Sequence, residues 1–265
     1  MTEALEDRDL QVPDHGPGSG NRIEPSGRRV RAVFAGTTVA DSTDALTLLE
    51  ARHLPVYYFP VADVRMDLLE PTGKSTHCPW KGDASYWTIR VAERTSKNAV
   101  WGYQDPLPEA APIKGHVAFY WNKVDAWFEE DDEVFVHPRS PYHRVDVLNS
   151  SRHVRVEIGG EAVAETRRPR LLFETGLPTR YYIPRADVRM ELLEPTDTST
   201  QCPYKGKAVY WTARAGGTEV KDAVWSYPFP IPECPKIERL LAFFNERVDL
   251  YVDGELQPRP KTPWS

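Results

Sequence analysis

The chain has 265 residues, of which 40% are hydrophobic, and this is enough for one large domain or two of ordinary size. Its formal net charge of -6 argues against a broad basic surface, so we expect no nucleic-acid partner. The acidic, polar start lacks the apolar core of a signal peptide and no apolar run approaches the length of a membrane span, so we expect a cytoplasmic protein that does not enter a membrane. The three cysteines show no metal-ligand spacing, and we predict free thiols, no metal site and no cofactor.

The first 27 residues are rich in Gly, Pro and charge and are predicted to form a disordered tail. From about residue 30 the sequence repeats itself without a gap at a constant shift of 124 residues, which places Asp63 on Asp187 and Cys78 on Cys202. A single shift over that length indicates a duplicated domain. The predicted boundaries are a tail at 1–27, a first domain at 28–131, a connector at 132–150 and a second domain at 151–265.

The elements of the first copy follow in chain order, and each applies again 124 residues later. Val30–Phe34 clusters β-branched residues before a glycine turn, which predicts a β-hairpin. The tyrosine pair at 57–58 precedes Pro60, the pattern of a short strand that proline ends. Asp63 is well placed to begin a helical turn.

Beyond a Cys-Pro-aromatic-Lys-Gly turn, further strands are predicted at 84–91, 99–103, 209–213 and 223–227. Ile237, Leu240, Leu241 and Phe244 then lie at helical spacing, which predicts one short helix near the end of each copy. The fold class is therefore mainly β (α+β). We expect two tandem copies of a small bent antiparallel sheet or partly open barrel, each with one or two short helices.

Five motifs recur in the same order in both copies: Tyr-Tyr-x-Pro, Asp-Val-Arg-Met, Cys-Pro-aromatic-Lys-Gly, Tyr-Trp and Trp-x-Tyr. In this combination the chain, from residue 28 to its end, closely resembles the bacterial family catalogued as domain of unknown function 427, here in tandem form. The resemblance implies no particular activity. A nucleotidyltransferase-like label attached to that family finds no support here, since the only Gly-Ser, Gly18-Ser19, lies in the tail without the paired carboxylates that hold divalent ions.

The Cys-Pro-aromatic-Lys-Gly turns supply the best functional candidates. Proline fixes the backbone and glycine permits a positive φ, so the turn can hold a thiol and an ammonium in a defined geometry. A thiolate near a lysine has a lowered pKa and can act as a nucleophile. The alternative is that the cysteine packs as a small hydrophobe and the lysine is solvated.

We predict that the second copy is the working one, because the connector can fold against it. Its catalytic candidates are Cys202, Lys205, Tyr182 and Asp187. The ligand-binding candidates are Tyr58, Asp63, Arg65, Cys78, Lys81, Tyr86, Trp87, Trp101, Tyr103, His143, Arg189, Tyr210, Trp211, Trp225 and Tyr227. For the aspartates a helix cap is the favoured alternative, and for any single aromatic residue it is core packing. Neighbours such as Tyr86 and Trp87 should point to opposite faces of a strand.

Two functions fit these residues. In the first, the protein binds a small organic metabolite in an aromatic-lined pocket beside the turn, and acyl or hydrolytic chemistry is the most concrete option if it also transforms that metabolite. In the second, it is a non-catalytic scaffold or protein-interaction module in which the same motifs serve the fold. The sequence leaves the oligomeric state and the identity of the ligand open.

Overall fold

The computed structural model describes residues 21–51 and 53–265. The chain divides into two compact units, the first ending at Ser140 and the second beginning at Pro141. Most of the predicted disordered tail, residues 1–20, lies outside the described residues. Arg22–Pro25, which the prediction also assigned to the tail, instead forms the first strand and pairs with Leu46–Leu49.

Each unit contains eleven strands among the described residues. In the first unit they are β1 (Arg22–Pro25), β2 (Val30–Phe34), β3 (Thr37–Ser42), β4 (Leu46–Leu49), β5 (Val56–Pro60), β6 (Leu69–Cys78), β7 (Gly82–Val91), β8 (Arg94–Tyr103), β9 (His116–Phe119), β10 (Ala126–Glu129) and β11 (Asp132–Val134). In the second unit they are β12 (Val145–Asn149), β13 (Val154–Ile158), β14 (Glu161–Thr166), β15 (Arg170–Glu174), β16 (Arg180–Ile183), β17 (Leu193–Cys202), β18 (Gly206–Ala215), β19 (Thr218–Ser226), β20 (Leu241–Phe243), β21 (Asp249–Val252) and β22 (Glu255–Leu256).

Both units have the same two-sheet architecture. A seven-stranded antiparallel sheet runs in the order β1-β4-β5-β9-β8-β7-β6 in the first unit and β12-β15-β16-β20-β19-β18-β17 in the second. A four-stranded sheet has the order β11-β10-β2-β3 or β14-β13-β21-β22. The sheets are open and helices are short, so the predicted mainly β fold in two tandem copies is confirmed.

Both faces of each seven-stranded sheet are buried. One face packs against the four-stranded sheet, as where Phe59 meets Val30 and Trp127. The opposite face, which we call the motif face, carries Tyr58 in the first unit and Tyr182 in the second. It is covered by the Cys-Pro-aromatic-Lys-Gly turn and by the segment that follows β8 or β19.

The predicted hairpin and strands are confirmed. β2 and β3 are joined by two residues with positive φ, Ala35 at 50° and Gly36 at 72°, as the right-handed twist of a tight hairpin requires. The tyrosine pairs lie in β5 and β16. Tyr86 packs on the motif face and Trp87 on the other, in agreement with the expected alternation.

The predicted helix near the end of each copy is wrong. Ile237 ends a single 3-10 turn, Pro235–Ile237, and the apolar run continues as strand β20 between β16 and β19. Leu241 and Phe243 pack towards the four-stranded sheet, whereas Leu240 and Phe244 pack on the motif face. Because both faces of this central strand are covered, its residues are apolar in succession and the alternation that marks a strand disappears.

The expected helical turn at Asp63 is displaced. The structure has two 3-10 turns at Val61–Asp63 and Met66–Leu68, and the first follows Pro60 without a side-chain cap. Asp63 closes that turn, and its carboxylate accepts a hydrogen bond from Ser42 Oγ at 2.6 Å. The aspartate therefore ties the turn to β3 and does not cap a helix.

The region predicted as a connector contributes to both units. Asp132–Val134 is an edge strand of the first four-stranded sheet, pairing with β10. Val145–Asn149 is the edge strand β12 of the second seven-stranded sheet, pairing with β15. His143 lies two residues before β12, which carries it to the end of β15 where Glu174 lies.

Candidate functional site

The Cys-Pro-aromatic-Lys-Gly turn of the second unit joins β17 to β18. Cys202 ends β17, and Gly206 begins β18 with a φ of 103°. A Cβ atom on Gly206 would also lie 3.2–3.4 Å from backbone atoms of residues 229–231. Only glycine meets both conditions, so the segment after β19 can lie directly on the turn. The N–H of Ile231 donates to the carbonyl of Lys205 at 3.1 Å and fixes that contact.

A buried ion pair lies beneath this turn. Lys205 Nζ lies 2.5 Å from Glu174 Oε2, and the two side chains are 10% and 7% exposed. The first unit repeats the pair, with Lys81 Nζ 2.5 Å from Glu50 Oε1. Burial of a charge is costly unless a partner of opposite charge is close, so each lysine depends on its glutamate.

The second unit adds a histidine to the pair. His143 Nε2 lies 3.0 Å from Glu174 Oε1, so the carboxylate accepts hydrogen bonds on both oxygens. The imidazole stacks on the Tyr204 ring with centroids 4.1 Å apart. The position equivalent to His143 in the first copy is residue 19, outside the described residues.

Both partners of the pair are charged. Burial alone would raise the pKa of Glu174, but the positive charge of Lys205 and the hydrogen bonds from His143 and Lys205 lower it to about 2. Burial alone would lower the pKa of Lys205, but electrostatic interactions with Cys202 and Glu174 and the hydrogen bond to Glu174 raise it above its ordinary value. The lysine is therefore a fixed cation near neutral pH, and it is not available as a base.

The Cys202 thiol is half-buried and interacts electrostatically with the Lys205 ammonium. Two tyrosines complete the surroundings. Tyr182 accepts a hydrogen bond from Trp225 Nε1 at 3.1 Å, and burial raises its pKa well above the usual value. Burial and the charge of Cys202 do the same for the pKa of Tyr227. Both phenols therefore stay neutral and can donate hydrogen bonds.

The structure thus brings together most of the predicted residues of the second copy. Tyr210 lies on the motif face with its hydroxyl 2.7 Å from Thr200 Oγ1. The first unit places Cys78, Tyr58, Tyr86, Trp101 and Tyr103 in the same arrangement. There Trp101 Nε1 donates to the Tyr58 hydroxyl at 3.2 Å, and Lys81 Nζ lies 5.2 Å from the centroid of the Trp80 ring.

Other predicted residues lie away from this cluster. Trp87 and Trp211 pack on the opposite face of the sheet. Arg65 is exposed and pairs with Asp67, and Arg189 pairs with Glu161 and Glu191. The guanidinium groups of both arginines therefore already form ion pairs with neighbouring carboxylates.

Asp187 also lies apart from the cysteine and lysine. Its carboxylate accepts hydrogen bonds from Thr166 Oγ1 and from two nitrogens of Arg168. It borders a shallow, open surface pocket of about 310 Å³ lined by His153, Glu165, Thr166, Arg167, Arg168 and Asp187. Four of these six side chains form two ion pairs, His153 with Glu165 and Arg168 with Asp187, so this pocket has less unused binding capacity than its charge suggests.

Sequence reasoning missed two residues of the cluster. Glu174 ends β15, and its counterpart Glu50, 124 residues earlier, directly follows β4. An acidic residue at the end of an apolar strand in both copies was the sequence signal that could have identified this glutamate. Cys234 is 3% exposed on the motif face, and burial raises its pKa to about 11. No motif marks it, because the first copy has Ala110 at that position.

Among residues 21–51 and 53–265, no group of three or more His, Cys, Asp and Glu side chains is arranged to hold a metal ion. In the same part of the chain, no helix has the length and apolar character needed to cross a membrane.

The relation to known proteins agrees with the repeated architecture. The model of the family described as a domain of unknown function (DUF427) matches the chain twice, at residues 22–130 and 146–254. No curated protein matches it with significant similarity. The two matches cover most of both two-sheet units, including the turn and the buried lysine–glutamate pair of each. The chain therefore belongs to the DUF427 family and consists of two tandem copies of its domain.

Proposed function

We propose that the second unit binds a small organic carbonyl compound beside the Cys-Pro-aromatic-Lys-Gly turn that covers the motif face, and that Cys202 attacks its carbonyl carbon in an acyl-transfer or hydrolytic reaction. One observation carries this proposal: a half-buried thiol lies beside a lysine ammonium that a buried carboxylate holds in place. A nearby cation favours the thiolate, which is the nucleophilic form of cysteine.

The charges of the cluster suggest a separate role for each side chain around Cys202. Lys205 is a fixed cation, so it stabilises the thiolate and then the negative charge that develops on the carbonyl oxygen. Tyr182 and Tyr227 remain protonated and supply hydrogen-bond donors. His143 and Glu174 act through Lys205, since their contacts hold the ammonium in position.

The reaction balances without a further reagent. The Cys202 thiolate forms a bond to the carbonyl carbon while the carbonyl electron pair moves to oxygen. Collapse of this adduct expels the alcohol or thiol portion, which takes a proton from solvent, and leaves a thioester on Cys202. Water or an acceptor nucleophile then attacks the thioester, which releases the acid or the transferred acyl group and restores the thiol.

The test uses p-nitrophenyl acetate as an activated acyl probe on the full chain. We expect release of p-nitrophenolate with acetylation at Cys202, located by peptide mass spectrometry, and loss of both in Cys202→Ser. Lys205→Met should slow the acylation at least about tenfold, because the thiolate loses its cation. Cys78→Ser is the matched control and should retain acetylation at Cys202.

Iodoacetamide labelling gives a second readout in the same chain. We expect Cys202 to label in the folded protein near neutral pH, and to label more slowly in Lys205→Met. If neither reagent modifies Cys202 until the protein is denatured, the cysteine mechanism is wrong. The non-catalytic scaffold would then be the better description of the chain.

A further inference from the structure

The second unit holds two cysteines around one buried ammonium. Cys202 ends β17, and Cys234 precedes the 3-10 turn Pro235–Ile237. Both side chains pack on the motif face in the same apolar cluster. Lys205 and Cys202 both interact electrostatically with the Cys234 thiol, as expected when these three groups lie close together.

Backbone hydrogen bonds connect the two cysteine segments. Lys205 N–H donates to the carbonyl of Cys202 at 3.3 Å, and Ile231 N–H donates to the carbonyl of Lys205 at 3.1 Å. Cys234 N–H then donates to the carbonyl of Ile231 at 2.9 Å. The segment that carries Cys234 is therefore held directly against the turn that carries Cys202.

The two thiols have different environments. Cys202 is half-buried, which leaves it open to small reagents, and it lies beside the Lys205 ammonium. Cys234 is buried, and its raised pKa of about 11 keeps it a thiol. An accessible cysteine in the same cluster as a second, buried cysteine is the arrangement found in redox-sensing pairs.

The first unit supplies a natural comparison. It retains Cys78 and Lys81 at the corresponding turn, but Ala110 occupies the position of Cys234 and is completely buried. An alanine fills this place in the fold of the first unit, so the fold itself does not require the sulfur of Cys234.

We propose that Cys202 and Cys234 form a reversible disulfide when a hydroperoxide oxidises Cys202, and that the first unit cannot form one. The Cys202 thiolate attacks the distal oxygen of the hydroperoxide, forming a sulfenic acid and expelling an alkoxide or hydroxide that takes up a proton. The Cys234 sulfur then attacks the Cys202 sulfur, forming the disulfide and releasing water. A dithiol reductant restores both thiols by exchange.

This redox role goes beyond the proposed acyl chemistry and does not depend on it. Oxidation of Cys202 to a disulfide removes the nucleophile on which the acyl chemistry depends. If Cys202 carries out acyl transfer, oxidation would therefore abolish that activity reversibly. The disulfide can form even when p-nitrophenyl acetate fails to react, so the two proposals fail separately.

The test treats the reduced full chain with equimolar hydrogen peroxide and maps its peptides without reduction. We expect a Cys202–Cys234 disulfide within one molecule that dithiothreitol removes. In Cys234→Ala, Cys202 should stop at a sulfenic acid that dimedone traps. Cys78 should give the dimedone adduct in the unaltered chain, because it has no second cysteine in its unit.

A gain-of-function variant tests the same geometry in the first unit. Ala110→Cys should create a disulfide between Cys78 and the introduced thiol under the same treatment. The proposal is overturned if peroxide converts Cys202 to sulfinic acid without a Cys202–Cys234 peptide, or if Cys202 forms disulfides only between molecules. Hydrogen exchange of each variant before oxidation verifies that the unit is folded.

Discussion

Removal of the Glu174 carboxylate is the most direct test of the buried cluster. Glu174→Gln leaves the Lys205 ammonium and His143 facing a neutral amide at a place where the carboxylate is only 7% exposed. Loss of one partner of a buried ion pair costs about 3–5 kcal/mol. Since glutamine keeps one carbonyl oxygen as an acceptor, we expect a loss near the lower end, about 3 kcal/mol.

The first unit provides the matched control. Glu50 is 18% exposed, so water screens its pair with Lys81 more strongly, and the Glu50→Gln loss should be smaller, about 2 kcal/mol. Glu174→Gln combined with Lys205→Met should recover part of the loss, because no uncompensated charge then stays buried.

The assay must separate the two units, since a chain with two compact units need not unfold in one transition. Native-state hydrogen exchange with peptide mass spectrometry gives a free energy of opening for each unit. A loss in the second unit below about 1 kcal/mol, or no larger than that of Glu50→Gln in the first, would falsify the assignment of Glu174 as the essential partner of a buried cation.

Two further predictions concern the same region. The pKa of Glu174 is lowered from 4.5 to about 2 in the folded chain, so its contribution of about 3 kcal/mol to stability is fully present above pH 4.5 and is lost as the pH falls towards 2. Hydrogen exchange at decreasing pH should therefore show a steeper loss of stability in the unaltered chain than in Glu174→Gln, and parallel curves would contradict the prediction. Gly206→Ala forces alanine to a φ of 103° and within 3.2 Å of backbone atoms, so it should destabilise the second unit by about 1–3 kcal/mol, as measured by hydrogen exchange. The nearest contact at Gly82 is 3.5 Å, so Gly82→Ala should destabilise the first unit less, and equal losses in the two units would show that the close approach has no effect.

Local patterns determined much of the fold. The shift of 124 residues established two copies, and the glycine of the turn indicated a positive φ that Gly82 and Gly206 both adopt. Alternation along a strand correctly separated Tyr86 from Trp87. These features depend on a residue and its near neighbours along the chain, so they can be predicted from the sequence alone.

Tertiary packing decided the remaining features. Strand β20 reads as a helix because both of its faces are covered, and only the sheet order shows that it lies between β16 and β19. Glu174, on β15, and Lys205, in the turn between β17 and β18, are 31 residues apart on parts of the sheet that are not neighbours, and only the folded unit brings the carboxylate to the ammonium. Cys234 follows a proline-rich segment of no regular pattern, and it enters the same apolar cluster as Cys202 because glycine at position 206 lets that segment lie on the turn. The residues of the cluster could be recognised singly from the sequence, whereas their charges and partners follow from contacts that distant segments make only in the folded chain.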